Sequence, residues 1–270
     1  MKKVIFAALI FILQCFYCRA QELFVFTEPA SNMPAGSVSA RLGNYLMQEK
    51  DTSKFDYRLI PEIMVGINKN FMLHGDAFFR NTSKNFSFAG GSIYAKYRFV
   101  SIDAIHNHFR MAAYARYSFN NNAIKAEDID MYGQNSGYLA GVVATQLLHK
   151  VSLSENAAFI HATNNSNNKF PAGFSQSAIN YSFSFGKLLL PKNYINFKQT
   201  NINLMLEILG QTISRTGKSY LDVAPSLQFI FNSQARVDVG FRKQLISSMQ
   251  RTIANSAVLR FEYLFFNAMQ

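Results

Sequence analysis

An imidazole, a hydroxyl and an amide follow one another closely at His161, Thr163 and Asn164. A histidine base beside a hydroxyl is the minimal arrangement for nucleophilic catalysis. Orienting the base calls for an acidic partner, yet no acidic residue follows in the next forty positions, the nearest being Glu207. The run Asn164-Asn165-Ser166-Asn167-Asn168 reads more simply as an exposed loop. A second cluster, His106-Asn107-His108 with Asp103, offers two imidazole nitrogens and a carboxylate to zinc or copper. A structural zinc site wants four ligands, so a polar turn is the simpler reading. Met72 and His74 alternate as a soft copper site would require, with less support still. Gly90-Gly91 is an isolated pair, not a phosphate-cradling loop. We therefore assign no catalytic residue and no metal, keep His161/Thr163 and His106/His108 as weak alternatives, and expect no cofactor.

Most of the charge sits elsewhere, on one side of an alternating pattern. Ala257, Leu259, Phe261, Tyr263 and Phe265 oppose Arg260 and Glu262; Phe109, Met111, Ala113, Ala115 and Tyr117 oppose Arg110, Tyr114, Arg116 and Ser118. Successive side chains of a strand face opposite sides of a sheet. One face therefore carries Leu42, Leu59, Ile63, Val65, Ile93, Val142, Phe183, Leu204, Leu206, Leu227, Phe229 and Leu259. The other carries nine bases (Arg41, Arg58, Lys96, Arg98, Arg110, Arg116, Arg236, Arg242, Arg260) and six acids (Glu62, Asp76, Glu207, Asp222, Asp238, Glu262), with His74 among them. If the sheet closes, these residues line a lumen. A small basic excess then favours anionic solutes, because charged rings set selectivity. A lumen plugged by its own salt-bridge ladder is the competing reading.

Export fits this pattern. Lys2 and Lys3 precede an apolar run, Val4 to Phe16, too short to span a bilayer, and Ala20 closes a plausible cleavage site. Residues 1–20 are expected to be a signal peptide. Both cysteines, Cys15 and Cys18, lie inside it, leaving no disulfide framework beyond it. Removing Lys2, Lys3 and Arg19 from the 27 basic residues leaves 24 against 16 acidic, a formal charge of +8. A surface of anionic lipid is a more natural partner for an exported basic chain than nucleic acid, for which no binding pattern is present. Tryptophan is absent and phenylalanine numbers 26, so Phe and Tyr would have to form any interfacial aromatic belt.

Residues 21–35 have no period and read as an irregular arm. Residues 36–270 hold about twelve candidate strands, among them Val38–Met47, Tyr57–Ile67, Gly91–Phe99, Val151–Thr163, Val237–Phe241 and Ala257–Phe266. Many approach the ~9–11 residues of a tilted membrane-crossing strand. Tight connections (68–70, 149–150, 232–234) alternate with long polar ones (48–54, 120–131, 164–175, 246–253), as in outer-membrane barrels. The connections 101–108 and 189–200 should be short and look long. Pro61 and Pro225 are expected to mark bulges. The fold class is thus all-β, a closed antiparallel transmembrane barrel of about twelve strands, with a soluble sandwich as the alternative.

The two Pro-x6-Asn hairpins, Pro61 to Asn68 and Pro225 to Asn232, and the closing strand Val258–Phe266 resemble bacterial outer-membrane β-barrel proteins, in particular transporter-like barrels of the Bacteroidota type. The resemblance spans Gly36 to Phe266. It implies a Gram-negative outer membrane, periplasmic termini, contact with bilayer and lipopolysaccharide, and assembly machinery that reads a terminal aromatic residue. Here Asn267-Ala268-Met269-Gln270 follows Phe266, and Phe265 or Phe266 could serve. His161-Ala162-Thr163-Asn164 further resembles the His-x-Ser-Asn stretch of lipid A deacylases, with threonine replacing serine. Three functions stay open: a channel or transporter for small solutes, a plugged barrel acting through its outer loops, and a lipid A deacylase-like enzyme using His161 and Thr163.

Overall fold

The structure, a computed structural model, describes residues 24–49, 55–82, 85–193, 195–196, 198–251 and 253–269. The expected signal peptide, residues 1–20, lies outside them. Twelve antiparallel strands follow in order: β1 (Val38–Glu49), β2 (Phe55–Gly66), β3 (Phe71–Thr82), β4 (Asn85–Ala104), β5 (Asn107–Asn120), β6 (Gly137–Leu148), β7 (Val151–Ala162), β8 (Ser177–Leu190), β9 (Asn201–Ile213), β10 (Ser219–Phe231), β11 (Ala235–Ser247) and β12 (Ile253–Phe265). Each pairs with its chain neighbours, and β1 pairs with β12, so the sheet is a closed barrel. The sandwich alternative is thereby excluded.

Closure follows from the period of two. The seam between β1 and β12 sets Arg41 opposite Glu262 and Leu42 opposite Phe261, charge against charge and apolar against apolar. A slip of one residue would turn every charge on these strands outward. On the outer surface Leu42, Ile63, Ile93, Val142, Leu204 and Leu259 are exposed, whereas Arg41, Glu62, Asp76, Lys96, Asp238 and Arg260 are buried. Near the rim where β2 begins and β5 ends, Phe79, Phe86, Phe88 and Phe119 form a contiguous run of ring contacts, with Tyr57 against Phe86. Strands of 12 residues, rising ~3.3 Å per residue and tilted as barrel strands are, cover the ~25 Å apolar band of an outer-membrane barrel.

Several local expectations need correction. Pro61 and Pro225 make no bulge. Between β2 and β3 the ladder runs Leu59↔Phe79 then Glu62↔Asp76, and between β10 and β11 it runs Val223↔Lys243 then Ser226↔Gly240. Proline has no N–H to give, and rungs are lost there without insertion of a residue. Register shifts fall instead at Gln48/Glu49, Phe78/Phe79, Arg98/Val100, Leu188/Leu190 and Leu221/Asp222. The connection expected over 101–108 shrinks to Ile105 and His106, because β4 and β5 extend into it and His106 takes the left-handed conformation (φ 59°) that a tight turn needs. β11 runs well past Phe241, the residue at which Arg242 and Lys243 break the apolar alternation.

Arg41 donates to Glu262 at 2.8 Å and to Glu62 at 3.1 Å, both inside the barrel. Its replacement takes one cation from each of two carboxylates, leaving Glu262 with Arg236 and Glu62 with His74. Arg41→Met is expected to cost about 3–5 kcal/mol, read as a lower temperature for loss of the compact, fast-migrating form on unheated detergent gels. Arg41→Met with Glu262→Gln should recover part of that loss.

Candidate functional site

The barrel wall carries a row of charges at one level. Arg236 of β11, Glu262 of β12, Arg41 of β1, Glu62 of β2 and Asp76 of β3 stand opposite one another in register. Signs alternate up to the adjacent acids Glu62 and Asp76. Between them, Glu62 meets Arg41 and, at 2.6 Å, the His74 ring, while Asp76 takes Arg116 and the Ser92 hydroxyl. Elsewhere Arg260 pairs with Asp238 at 2.7 Å, Arg242 and Arg251 share Asp222 at 2.7 Å each, and Arg236 reaches both Glu262 and Asp238. Arg110 pairs with Asp103 at 2.9 Å, and Arg98 donates to the Lys69 carbonyl at 2.6 Å.

Two segments fill the space inside this wall, and neither was legible as doing so. Residues 24–35 run through the interior. Glu207, with no guanidinium partner among its hydrogen bonds, accepts from the Val25 and Phe26 amides at 3.0 Å and from Thr27 at 2.7 Å. Arg260 donates to the Phe24 and Val25 carbonyls. Lys96 holds Glu28 at 3.2 Å and the Pro29 carbonyl at 2.9 Å, Thr145 accepts from the Ala30 amide, and Arg110 donates to Ser31. Two glycines make room. A Cβ on Gly66 would lie 2.3 Å from the Pro34 carbonyl oxygen, and one on Gly240 would lie 2.8 Å from the Phe26 ring.

The second segment is the β5–β6 connection, residues 121–136. It folds inward rather than out into water. Ile129 and Met131 pack against Ile160, Ala162, Ala178, Ile213 and Met249. Gln211 holds the Ile129 backbone from both sides, accepting from its amide at 2.9 Å and donating to its carbonyl at 2.8 Å. Arg58 donates to Asp130 at 3.0 Å and to Gln134 at 3.1 Å. The Tyr132 ring meets Tyr45 and Phe78 edge-on, with the Arg116 guanidinium over its face. Outside the wall, Lys218 hydrogen-bonds Glu127 at 2.7 Å and, together with the Gln250 amide, holds that carboxyl below its ordinary range. Asp128, one residue on, is pushed up by burial and partly pulled back by Arg251.

Between arm and loop lies a chamber of about 330 Å³, with Val25 to Glu28 at one end and Asp128 to Tyr132 at the other. Arg41, Arg58, Arg116, Arg242, Arg251 and Arg260 reach it, as do Tyr45, Tyr94, Tyr114, Tyr132 and Tyr220. Sequence reasoning missed the acids Glu28, Asp128 and Asp130 because none lies on a strand. The available signal was apolar: Phe24, Val25 and Phe26 in the arm, and Ile124, Ile129 and Met131 in a connection read as polar.

The isolated chemical motifs end up apart. His161 faces outward from β7, meets the Tyr138 ring at a tilt and hydrogen-bonds Ser177 on β8 at 2.8 Å. Thr163 is exposed, and its amide bonds the Ser136 carbonyl. His106 stacks on His149 of the neighbouring turn, while His108 bonds Asp103, a carboxylate that Arg110 shares. Met72 packs with Met33 and Met64, and His74 turns to Glu62 and Glu28. Glu28, Glu62 and His74 bring their ligand atoms within 4.8 Å of one another, the one such grouping of three among the described residues. Arg41 and Lys96 already neutralise those carboxylates.

No protein-family model matches the chain, and no curated protein matches it. The fold is similar to the COG4313 outer membrane channel from Pseudomonas putida F1, with a TM-score of 0.61, 10% identity, and coverage of 90% of this chain and 100% of that one. A weaker likeness, to NanC porin, has a TM-score of 0.48 and 10% identity, covering 84% of this chain and 98% of that chain. At this identity the first likeness establishes the closed antiparallel barrel fold.

Two measurements test the interior segments. Gly66→Ala should dislodge the arm at Pro34, seen as faster protease cleavage within residues 24–35 while the barrel core stays intact. The lowered Glu127 carboxyl means its contact with Lys218 is intact at neutral pH and is lost as pH falls through that lowered value. A spin label on Lys125→Cys should therefore gain mobility on acidification, and Glu127→Gln should be mobile throughout.

Proposed function

We propose that the protein is an outer-membrane channel or transporter for small solutes, gated from within by its own arm and loop. The observation that carries this reading is the partly open chamber, lined by arginine, acidic and tyrosine side chains, inside a wall whose outer surface is apolar. Acyl chains demand the outside, and passage of hydrophilic molecules gives a use for the inside. The signal-peptide pattern and the likeness to a channel fold support the same compartment, a Gram-negative outer membrane with lipopolysaccharide around the barrel. Assembly by the barrel-insertion machinery follows from that location, with Phe265 or Phe266 as the terminal aromatic. The termini belong on the periplasmic side, because the long connections 121–136 and 163–176 lie at the opposite rim.

The basic excess counted on the strands, which would favour anions, is reduced. Glu28 joins from the arm and Asp128 and Asp130 from the loop, against one further base, Arg251. That balance favours solutes without a strong net charge. A plugged barrel acting through its loops is the second reading, favoured by the hydrogen bonds that hold residues 24–35 in the lumen. A deacylase role has less support: the hydroxyl at His161 belongs to Ser177, and no acidic side chain is among its described contacts.

Planar-bilayer recordings separate the first two. The wild-type chain should show small or rare openings. Glu207→Leu with Lys96→Met, which removes two anchors of the arm, should raise open time and unitary conductance several-fold. Silence in both would sink the channel reading.

A further inference from the structure

One ionisable group stands where acyl chains should be. Glu155 lies within β7 (Val151–Ala162). Its two chain neighbours turn into the lumen, where Ser154 bonds Thr145 and Asn156 accepts from the Tyr114 hydroxyl. By the alternation of a strand Glu155 points outward, and it is exposed. It sits opposite Ala144 of β6 and Phe183 of β8. Among the described residues it makes no hydrogen bond or ion pair.

Its depth makes that exposure costly. Glu155 stands four residues above Val151, the inner end of β7. At ~3.3 Å per residue along a tilted strand, its carboxyl lies roughly 10 Å inside an apolar band ~25 Å tall. Two lysines share the outer face but lie nearer strand ends: Lys187 opposite Val151, and Lys243 opposite Asn255, two residues into β12. A lysine stem can carry its ammonium to the headgroups; a glutamate lacks that reach. An ionisable residue held in the hydrocarbon calls for a partner.

The surface beside Glu155 is shaped for close approach. Along its outer side Ala115 opposes Ala140, Ala113 opposes Val142, and Val142 opposes Ala157. Elsewhere the same face carries Leu204, Leu206, Leu227 and Phe261. Within a bilayer, small side chains let two backbones come together, and packing and hydrogen bonds drive association.

We propose that the outer face of β5 to β7 is a contact between two copies of this chain, in which the two Glu155 carboxyls meet. Symmetry selects the occupant. Both copies enter the membrane the same way up, so a twofold axis relating them runs along the membrane normal and keeps every residue at its own depth. The group that comes level with Glu155 is Glu155 of the second copy. A carboxyl that keeps its proton donates through its O–H and accepts at its other oxygen, so two of them satisfy one another, which an acyl chain cannot do. The contact rests on acyl chains covering the outer wall and is indifferent to what crosses the lumen.

The full chain, purified and reconstituted into phosphatidylethanolamine–phosphatidylglycerol vesicles, tests this. Cysteine is absent beyond residue 20, so Ala157→Cys places a thiol in the contact and Leu227→Cys places one on β10, away from it. Mild oxidation should link the Ala157→Cys copies in pairs and leave Leu227→Cys largely single. With one dye per chain, wild-type spots should bleach in two steps. Glu155→Leu, whose side chain suits lipid, should weaken pairing at least about tenfold; Glu155→Gln, whose amide also gives and takes hydrogen bonds, should keep it. Unheated gel mobility verifies that each variant is a closed barrel. One-step or three-step wild-type spots, equal linking at the two cysteines, Glu155→Leu pairing as well as wild type, or Glu155→Gln pairing as poorly as Glu155→Leu overturns the proposal. A folded chain that enters vesicles only as single copies removes the contact alone, whereas a chain that does not enter them removes the membrane reading with it.

Discussion

A guanidinium taken out of water must meet a carboxylate, and this constraint organises the interior. An unpaired buried charge costs several kcal/mol, whereas a matched and hydrogen-bonded one is tolerated. Arg41 is the clearest case, tying β12 to β2 across the closing strand through Glu262 and Glu62. The wall cannot satisfy all its charges alone. Lys96 turns to Glu28, and Arg58 to Asp130, residues brought in from outside the sheet. The segments that fill the lumen are thus held by electrostatic demands of the wall as well as by packing.

The arm and the loop meet those demands differently. The arm is held chiefly by its backbone: Glu207, Arg260 and Thr145 all bond main-chain atoms. Such contacts depend weakly on which side chains the arm carries and strongly on its path. The loop is held by side chains and by an apolar patch around Ile129 and Met131. Glu127 and Asp128, adjacent in sequence, are driven in opposite directions, one by a lysine and a backbone amide at the rim, the other by burial.

The architecture was readable in the sequence because a period of two is a local property. Arg260 between Leu259 and Phe261 says which way each points without knowledge of the rest of the chain. Strand ends were less readable where charge interrupts the apolar side, as at Lys243, or where a turn borrows residues with no turn signature, as at Ile105-His106. Pro61 suggested a bulge because a lost hydrogen bond and an inserted residue look alike in one dimension. The chamber was hardest to see. Its ends come from an arm without periodicity and a loop whose apolar residues are spaced by no rule, and their position depends on Glu207 and Gln211, distant in sequence from both.

The arm's partners lie on β4, β5, β6, β8, β9 and β12, strands from every side of the cylinder. A segment bonded in so many directions cannot be laid on from the flank of a finished wall. Either it threads end-on into a sealed tube, or the sheet wraps around it as the last strand finds the first. In the second route the arm is a mandrel, setting the bore of the cylinder before the seam shuts.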